Sequence, residues 1–73
     1  MLLISLGCSK LTTENYDRLR IGMAYEEVVN LLGNPDRCEG AVGFKDCTWG
    51  NPTRHINVKF GGNSAIFFSS TGI

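Results

Sequence analysis

The stretch RHINVKFGGNSAIFFSS, residues 54–70, decides the fold of this chain. Its first part alternates in polarity, so that Ile56, Val58 and Phe60 fall on one side of an extended backbone, as in a half-buried strand. The GGNS that follows is typical of a tight turn, and the AIFFSS after it has the composition of a second strand. These residues predict a β-hairpin with one buried face.

The sequence before the hairpin predicts one more strand. KDCTWG, residues 45–50, places Cys47 and Trp49 on the same face of an extended chain, and NPT joins this strand to the hairpin. The Gly-rich region from Arg37 to Phe44 is expected to form an irregular loop or a weak edge strand. The predicted sheet is therefore a three-stranded antiparallel meander.

The first half of the chain predicts two short helices. Residues 12–22, TTENYDRLRIG, open with hydroxyl and acidic residues that favour a helix start, and Gly22 ends this helix. Residues 24–35, AYEEVVNLLGNP, carry a helical apolar stripe and end at Gly33 and Pro35. The stripe consists of Tyr25, Val28, Val29 and Leu32. We expect an α+β fold in which two short N-terminal helices pack on the three-stranded meander, an ααβββ two-layer sandwich with its second face wholly or partly open.

Length and charge limit what the chain does. With 73 residues it forms one small domain, which needs a disulfide, a metal or a partner for stability. Seven basic and seven acidic residues cancel and are mixed along the sequence, which argues against a nucleic-acid partner. The sequence shows no close pair of metal ligands and no apolar run near the roughly 20 residues of a membrane-spanning helix. We therefore expect no metal, no other cofactor and no spanning helix.

The sequence shows no catalytic constellation. Its one histidine, His55, lies on the polar side of a predicted strand, where a solvated surface position is the usual role. A thiol nucleophile formed by a cysteine with His55 is the alternative, but no orienting third group or oxyanion donor has a readable spacing. The glycines form no phosphate-binding motif. We expect a protein that is not an enzyme and has no catalytic residue.

Three aromatic side chains are candidates for a partner surface: Phe44, Trp49 and Phe67. A domain of this size needs its aromatics to fill the core, which is the alternative role for each of them. A sheet with one face uncovered cannot hide all of them, and an exposed apolar patch marks a partner surface. We expect Phe67 on the open face, with Ile66 and Phe68 pointing inward.

Much of the chain from Leu6 to Ile73 resembles a family of small Gram-negative lipoproteins of unknown function. The resemblance is carried by IGMAYEEVVNLLGNPD at residues 21–36, a following cysteine pair, CTWGN at residues 47–51 and a final hairpin that ends in TGI. The family's fold is similar to that of the outer-membrane assembly lipoprotein BamE (SmpA) and of the half-domain of the β-lactamase inhibitor protein. Relatives carry Thr or Ser where this chain has Ala24, so we expect one cap of the second helix to be missing here.

The beginning of the chain also resembles a bacterial lipoprotein. Residues 4–8, ISLGC, are similar to a lipobox, although Ser5 replaces the preferred Leu. The resemblance makes Cys8 the candidate for lipidation, residues 1–11 a partial signal-like segment and tether, and residues 12–73 the single domain. It implies a periplasmic protein anchored to the outer membrane through Cys8, or a cytoplasmic one if the truncated signal is the true gene start. A buried core thiol and an artefact of the gene start are the alternatives for Cys8.

The family resemblance also fits a disulfide between Cys38 and Cys47, which enclose eight residues. Such a bond would tie the Gly-rich loop to the strand of Trp49, and it implies an oxidising compartment such as the periplasm. The alternative is a pair of reduced core thiols in a cytosolic protein.

These expectations describe a non-enzymatic envelope protein that acts as a protein–protein interaction module in outer-membrane maintenance or assembly. Its expected partner is another envelope protein, and it meets the membrane only through a lipid on Cys8. The chain itself is expected to be a monomer or a weak homodimer paired through its final strand. The alternatives are a soluble inhibitor that blocks an enzyme cleft with the loops around Pro52 and Gly61–Ser64, and a small thiol or redox protein.

Overall fold

The computed structural model describes residues 11–73, and residues 1–10, with Cys8 among them, lie outside the described part. Two helices are followed by four strands. In chain order the elements are α1 (Thr13–Tyr16), α2 (Tyr25–Leu32), β1 (Arg37–Ala41), β2 (Phe44–Asn51), β3 (Arg54–Gly61) and β4 (Ser64–Thr71).

The sheet has four antiparallel strands in the order β1-β2-β3-β4, which corrects the predicted three-stranded meander. The additional strand is β1, in the region that was expected to be a loop or a weak edge strand. All five of its residues are exposed, so its sequence has no apolar alternation to predict a strand. Its conformation is fixed by pairing along β2, with Cys38 opposite Cys47 and Ala41 opposite Phe44.

A glycine allows β1 to lie this close to β2. A Cβ atom added at Gly40 would collide with the backbone oxygen of Phe44. Gly40 therefore contributes close backbone approach rather than flexibility, which explains why a weak strand former occupies a strand position.

Helix α1 is shorter than predicted and also corrects the expected fold. The predicted helix over residues 12–22 is a single turn, Thr13–Tyr16, with Thr12 as its N-cap. The Thr12 Oγ1 atom accepts a hydrogen bond of 3.1 Å from the Asn15 N–H. Beyond this turn the chain buries Leu19 in the core and reaches the edge of β4, where the Gly22 N–H donates to the Ala65 oxygen over 2.7 Å. The hydrogen bond to β4 outweighs continuation of α1, because so short a helix has marginal stability by itself.

Helix α2 agrees with the predicted apolar stripe, since Val28 and Leu32 are buried against the sheet. Its N-terminus has half of a capping box. The Glu27 Oε1 atom accepts a hydrogen bond of 2.9 Å from the Ala24 N–H, but the methyl side chain of Ala24 has no oxygen to accept one in return. The missing acceptor at Ala24 leaves one donor of the first turn without a side-chain cap.

The core lies between α2 and one face of the sheet. Trp49 is only 2% exposed, and its indole Nε1–H donates a hydrogen bond of 2.8 Å to the Gly33 oxygen at the end of α2. The same face carries Cys47, Ile56, Val58, Phe60 and Ala65, all fully buried or nearly so. Trp49, the largest buried side chain, thus also fixes the end of α2 above the sheet.

A register shift in the final hairpin changes which side chains face the core. Lys59 pairs with Phe67 but Phe60 pairs with Ala65, so Ile66 is an extra residue of a β-bulge. Ala65 faces the core and Ile66 is 49% exposed. The expectation that Ile66 points inward is therefore wrong. The expectation for Phe68 agrees with the structure, because Phe68 packs against the core with its ring 5.7 Å from that of Tyr16.

The missing cap of α2 gives a stability prediction with a matched control. Ala24→Thr adds a hydroxyl that can accept the N–H of the first turn, whereas the isosteric Ala24→Val adds the same volume without an acceptor. We expect the threonine variant to be more stable than the valine variant by about 1 kcal/mol, measured by urea unfolding. Equal stabilities would show that the first turn gains nothing from this cap.

Trp49 gives a second prediction. Trp49→Phe leaves the Gly33 oxygen without its donor and also opens space in the core, so we expect a loss of about 2 to 4 kcal/mol. The measurement is urea unfolding followed by far-UV circular dichroism. As a control, Phe60→Leu removes aromatic volume from the same core without removing a hydrogen bond. A smaller loss for the Trp49 variant than for the control would contradict the role of the indole N–H.

Candidate functional site

The face of the sheet opposite α2 is not covered by any described element, and we call it the open face. Alternation along the strands and the register place its residues in rows across the sheet. One half carries apolar side chains and the other half polar ones. Its members are Arg37, Glu39 and Ala41 of β1, Phe44, Asp46 and Thr48 of β2, His55, Asn57 and Lys59 of β3, and Ile66, Phe67, Ser69 and Thr71 of β4.

Three large apolar side chains on the open face form what we call the apolar patch: Phe44, Ile66 and Phe67. Their exposed fractions are 63%, 49% and 52%. Phe44 and Ile66 both lie over Gly61. A Cβ atom added at Gly61 would lie 3.2 Å from Ile66 Cγ2 and 3.9 Å from Phe44 Cε1. The bulge aligns Ile66 and Phe67 on the same face, so neighbouring residues add to one patch.

Of the three aromatic candidates for a partner surface, two are exposed on the open face. Phe44 and Phe67 belong to the apolar patch, whereas Trp49 is buried in the core. Trp49 as a partner-surface residue is therefore corrected, and the reason is the alternation of β2, which points Trp49 and Cys47 to the helix side. Sequence reasoning missed Ile66. The available signal was the run Ile66-Phe67-Phe68, which cannot lie entirely on one face of a regular strand.

A cleft of about 250 Å³ lies beside the apolar patch. Its apolar side chains are Phe44 and Ile66, whereas Phe60, only 1% exposed, turns its ring to the core on the opposite face. Three charged side chains of the open face also line it: Glu39, Asp46 and Lys59. The Lys45 ammonium instead lies on the helix side, 4.1 Å from the centre of the Tyr25 ring. The patch thus has an apolar centre and a charged rim.

A polar network occupies the middle of the open face. The Lys59 Nζ atom lies 2.7 Å from a carboxylate oxygen of Asp46, and the Asn57 side-chain amide donates to the other oxygen. The hydrogen bond from Lys59, followed by that from Asn57, lowers the pKa of the Asp46 carboxyl below its ordinary value. Asp46 therefore stays ionised at neutral pH, and its carboxylate holds the Lys59 ammonium beside the patch through the ion pair.

The polar half of the open face forms a groove of about 650 Å³. The groove includes Arg37 and His55 among its lining residues. The His55 Nδ1 atom lies 2.9 Å from the Asn51 carbonyl oxygen, which only accepts, so Nδ1 carries the proton. In the neutral ring, Nε2 is then an acceptor. The groove can bind polar groups, and among residues 11–73 no side chain hydrogen-bonds the His55 ring.

The sulfur atoms of Cys38 and Cys47 lie 1.99 Å apart, which is the distance of a disulfide bond. The two residues are direct cross-strand partners, with Cα atoms 4.0 Å apart. Cys47 is fully buried and Cys38 lies on the exposed strand β1. The bond therefore connects the outermost strand to the core. Neither sulfur is a free thiol, and both lie on the face opposite to His55, so the suggested thiol–histidine pair is not formed by these residues.

The two loops considered for an inhibitor lie at opposite ends of the sheet. Consecutive turns of an antiparallel meander alternate between its ends, so the turn at Pro52 and the turn at Gly62 point in opposite directions. The Gly62 N–H donates over 2.8 Å to the Gly43 oxygen, which places the Gly62 turn beside the turn between β1 and β2. The two loops named for the inhibitor alternative therefore do not form one continuous edge.

Two further observations concern residues 11–73 alone. No helix there has the length and apolar character needed to cross a membrane. Within the same residues, no three His, Cys, Asp or Glu side chains cluster as metal ligands. The lipidation candidate Cys8 lies outside this range, so the predicted anchor stays a prediction.

Comparisons of the chain with models of protein families, with curated proteins and with solved structures gave no significant match.

The disulfide gives a testable prediction. Reduction should lower the unfolding free energy by about 2 to 3 kcal/mol, because the bond limits the conformations of the unfolded chain. The measurement is urea unfolding monitored by Trp49 fluorescence, with and without reductant, and the intact mass should increase by two hydrogen atoms.

The control is Cys8→Ser, which leaves the pair untouched and should respond to reductant as the original chain does. Cys38→Ala should have the lower stability at the outset and no response. An intact mass that reductant leaves unchanged would contradict the bond.

Proposed function

We propose that this chain is a non-enzymatic protein-binding module of the bacterial cell envelope, and that its open face docks onto a partner protein. The observation that carries the proposal is the apolar patch of Phe44, Ile66 and Phe67, three large side chains each about half exposed on one face. Apolar side chains gathered in this way are the usual centre of a protein–protein contact.

The arrangement around the patch supports a protein partner. Protein interfaces place apolar and aromatic side chains at their centre and polar groups at the rim. Here the patch is bordered by the Asp46–Lys59 ion pair, and the groove beyond it offers hydrogen-bonding groups. The open face has mixed charges, which a polyanion such as nucleic acid would not select.

The envelope location has two supports of different kinds. Disulfide bonds persist in oxidising compartments, and the sulfur atoms of Cys38 and Cys47 lie at bonding distance. The resemblance to small Gram-negative lipoproteins adds the periplasm and a role in outer-membrane maintenance or assembly. Anchoring through a lipid on Cys8 is part of the same proposal.

The experiment introduces a photo-crosslinking amino acid at position 67 in the periplasm of a Gram-negative host and identifies crosslinked proteins by mass spectrometry. The partner found is then purified and titrated against the chain. We expect Phe67→Asp to weaken binding about tenfold or more, because a charge replaces a central apolar contact.

The matched control is position 21. Ile21 is an apolar side chain of comparable exposure, 65%, that lies in the turn before α2 and not on the open face. The crosslinker at position 21 should not capture the same partner, and Ile21→Asp should bind it as the original chain does. Equal weakening by both substitutions would reject the open face as the binding surface.

A further inference from the structure

The apolar patch combines a projecting side chain and a receptive cleft. Phe67 pairs with Lys59 and is half exposed, yet it is not part of the cleft wall formed by Phe44 and Ile66. The cleft volume of about 250 Å³ is several times the ~30 Å³ that a water molecule occupies in the liquid, so it admits a phenyl ring. Phe67 is therefore a knob, and the cleft beside it is a hole on the same surface.

A two-fold contact between identical chains requires a projecting group and its receptor on the same surface. In such an interface the same patch serves on both copies, so that residue i of one meets residue j of the other and the reverse. With the two-fold axis through the patch, Phe67 of each copy enters the cleft of the other. Neither copy then needs any feature that the other lacks.

The charges around the cleft are also self-complementary. Glu39, Asp46 and Lys59 line it, and Arg37 lies next to Glu39 on the same face of β1. These two carboxylates and two cations cancel, so the surface attracts no strongly charged partner but matches a second surface of the same composition. Asp46 is already paired with Lys59, whereas Glu39 makes no ion pair within residues 11–73. In a two-fold contact Glu39 can pair with Arg37 or Lys59 of the other copy.

We propose that the partner of the apolar patch is a second copy of this chain, bound face to face with Phe67 of each copy in the other's cleft. The inference rests on the proposed function and names the partner of the same site. An interface centred on three side chains belongs to the small class, below about 1,200 Å² in total, so the dimer is weak and depends on concentration. It differs from the predicted pairing through the final strand, because it uses the face of β4 and not its edge.

The test measures molar mass by sedimentation equilibrium across micromolar to millimolar concentrations, with Cys8→Ser in every sample to prevent an intermolecular disulfide. We expect the mass of this chain to rise from 8.0 kDa toward twice that value. Phe67→Asp removes the knob and Phe44→Asp puts a charge in the hole, so both should stay monomeric. Ile21→Asp is the control and should dimerise normally.

Trp49 fluorescence checks that each variant keeps its core, since Trp49 lies on the opposite face of the sheet. A second measurement needs no substitution in the patch. In a mixture of isotope-labelled and unlabelled chains, NMR should detect contacts between Phe67 of one copy and Phe44 or Ile66 of the other. Contacts confined to the backbone of β4 would overturn the face-to-face arrangement in favour of the edge.

The outcomes also separate this inference from the proposed function. A chain that stays monomeric at millimolar concentration but binds a purified envelope protein through Phe67 would overturn the inference and leave the function intact. A dimer that needs Phe67 while the position 67 crosslinker captures no other envelope protein would support the inference and reject the hetero-partner. Monomers that bind phospholipid vesicles through Phe67 would overturn both.

Discussion

The position of Trp49 is the constraint on which the rest of the structure depends. Its ring fills the centre of the core, and its indole N–H binds the Gly33 oxygen at the end of α2. One side chain thus fixes both the separation and the position of the helix relative to the sheet. Because α2 has eight residues, it extends only about 12 Å, roughly half the length of an eight-residue strand. The two described helices lie on one face of the sheet, and no other described element covers the opposite face.

The open face gains its apolar patch from a small irregularity. Without the bulge at Ile66, the alternation of β4 would bring either Ile66 or Phe67 to this face, but not both. With it, two consecutive apolar side chains join Phe44, and the polar network of Asp46, Asn57 and Lys59 borders them. The disulfide has the complementary role at the other side of the sheet, where it holds the fully exposed strand β1 against β2. A domain with so little core thus retains a fourth strand and a binding surface.

Sequence reasoning was successful where one periodic pattern covered a whole element. The stripe of Val28 and Leu32 predicted α2, and the alternation of Ile56, Val58 and Phe60 predicted β3, because burial on one face imposes its period on the sequence. It was wrong for α1, which stops at Tyr16 so that the next residues reach β4. It left β1 open between a loop and a weak edge strand, because the exposed residues of β1 show no period. At the candidate site it placed Phe67 on the open face, but not Ile66, and it left open whether Phe44 and Trp49 belong to the core or to a binding surface.

The sequence by itself determined the order of helices before strands, the hairpin and the stop of α2, since each depends on residues close together in the chain. Only the tertiary structure decided the fourth strand, the bulge and the separation of Trp49 from the exposed aromatics. These features depend on the register between strands distant in sequence, and a shift of one residue moves a side chain to the opposite face. Local composition contains no information on that register, whereas the packed sheet fixes it.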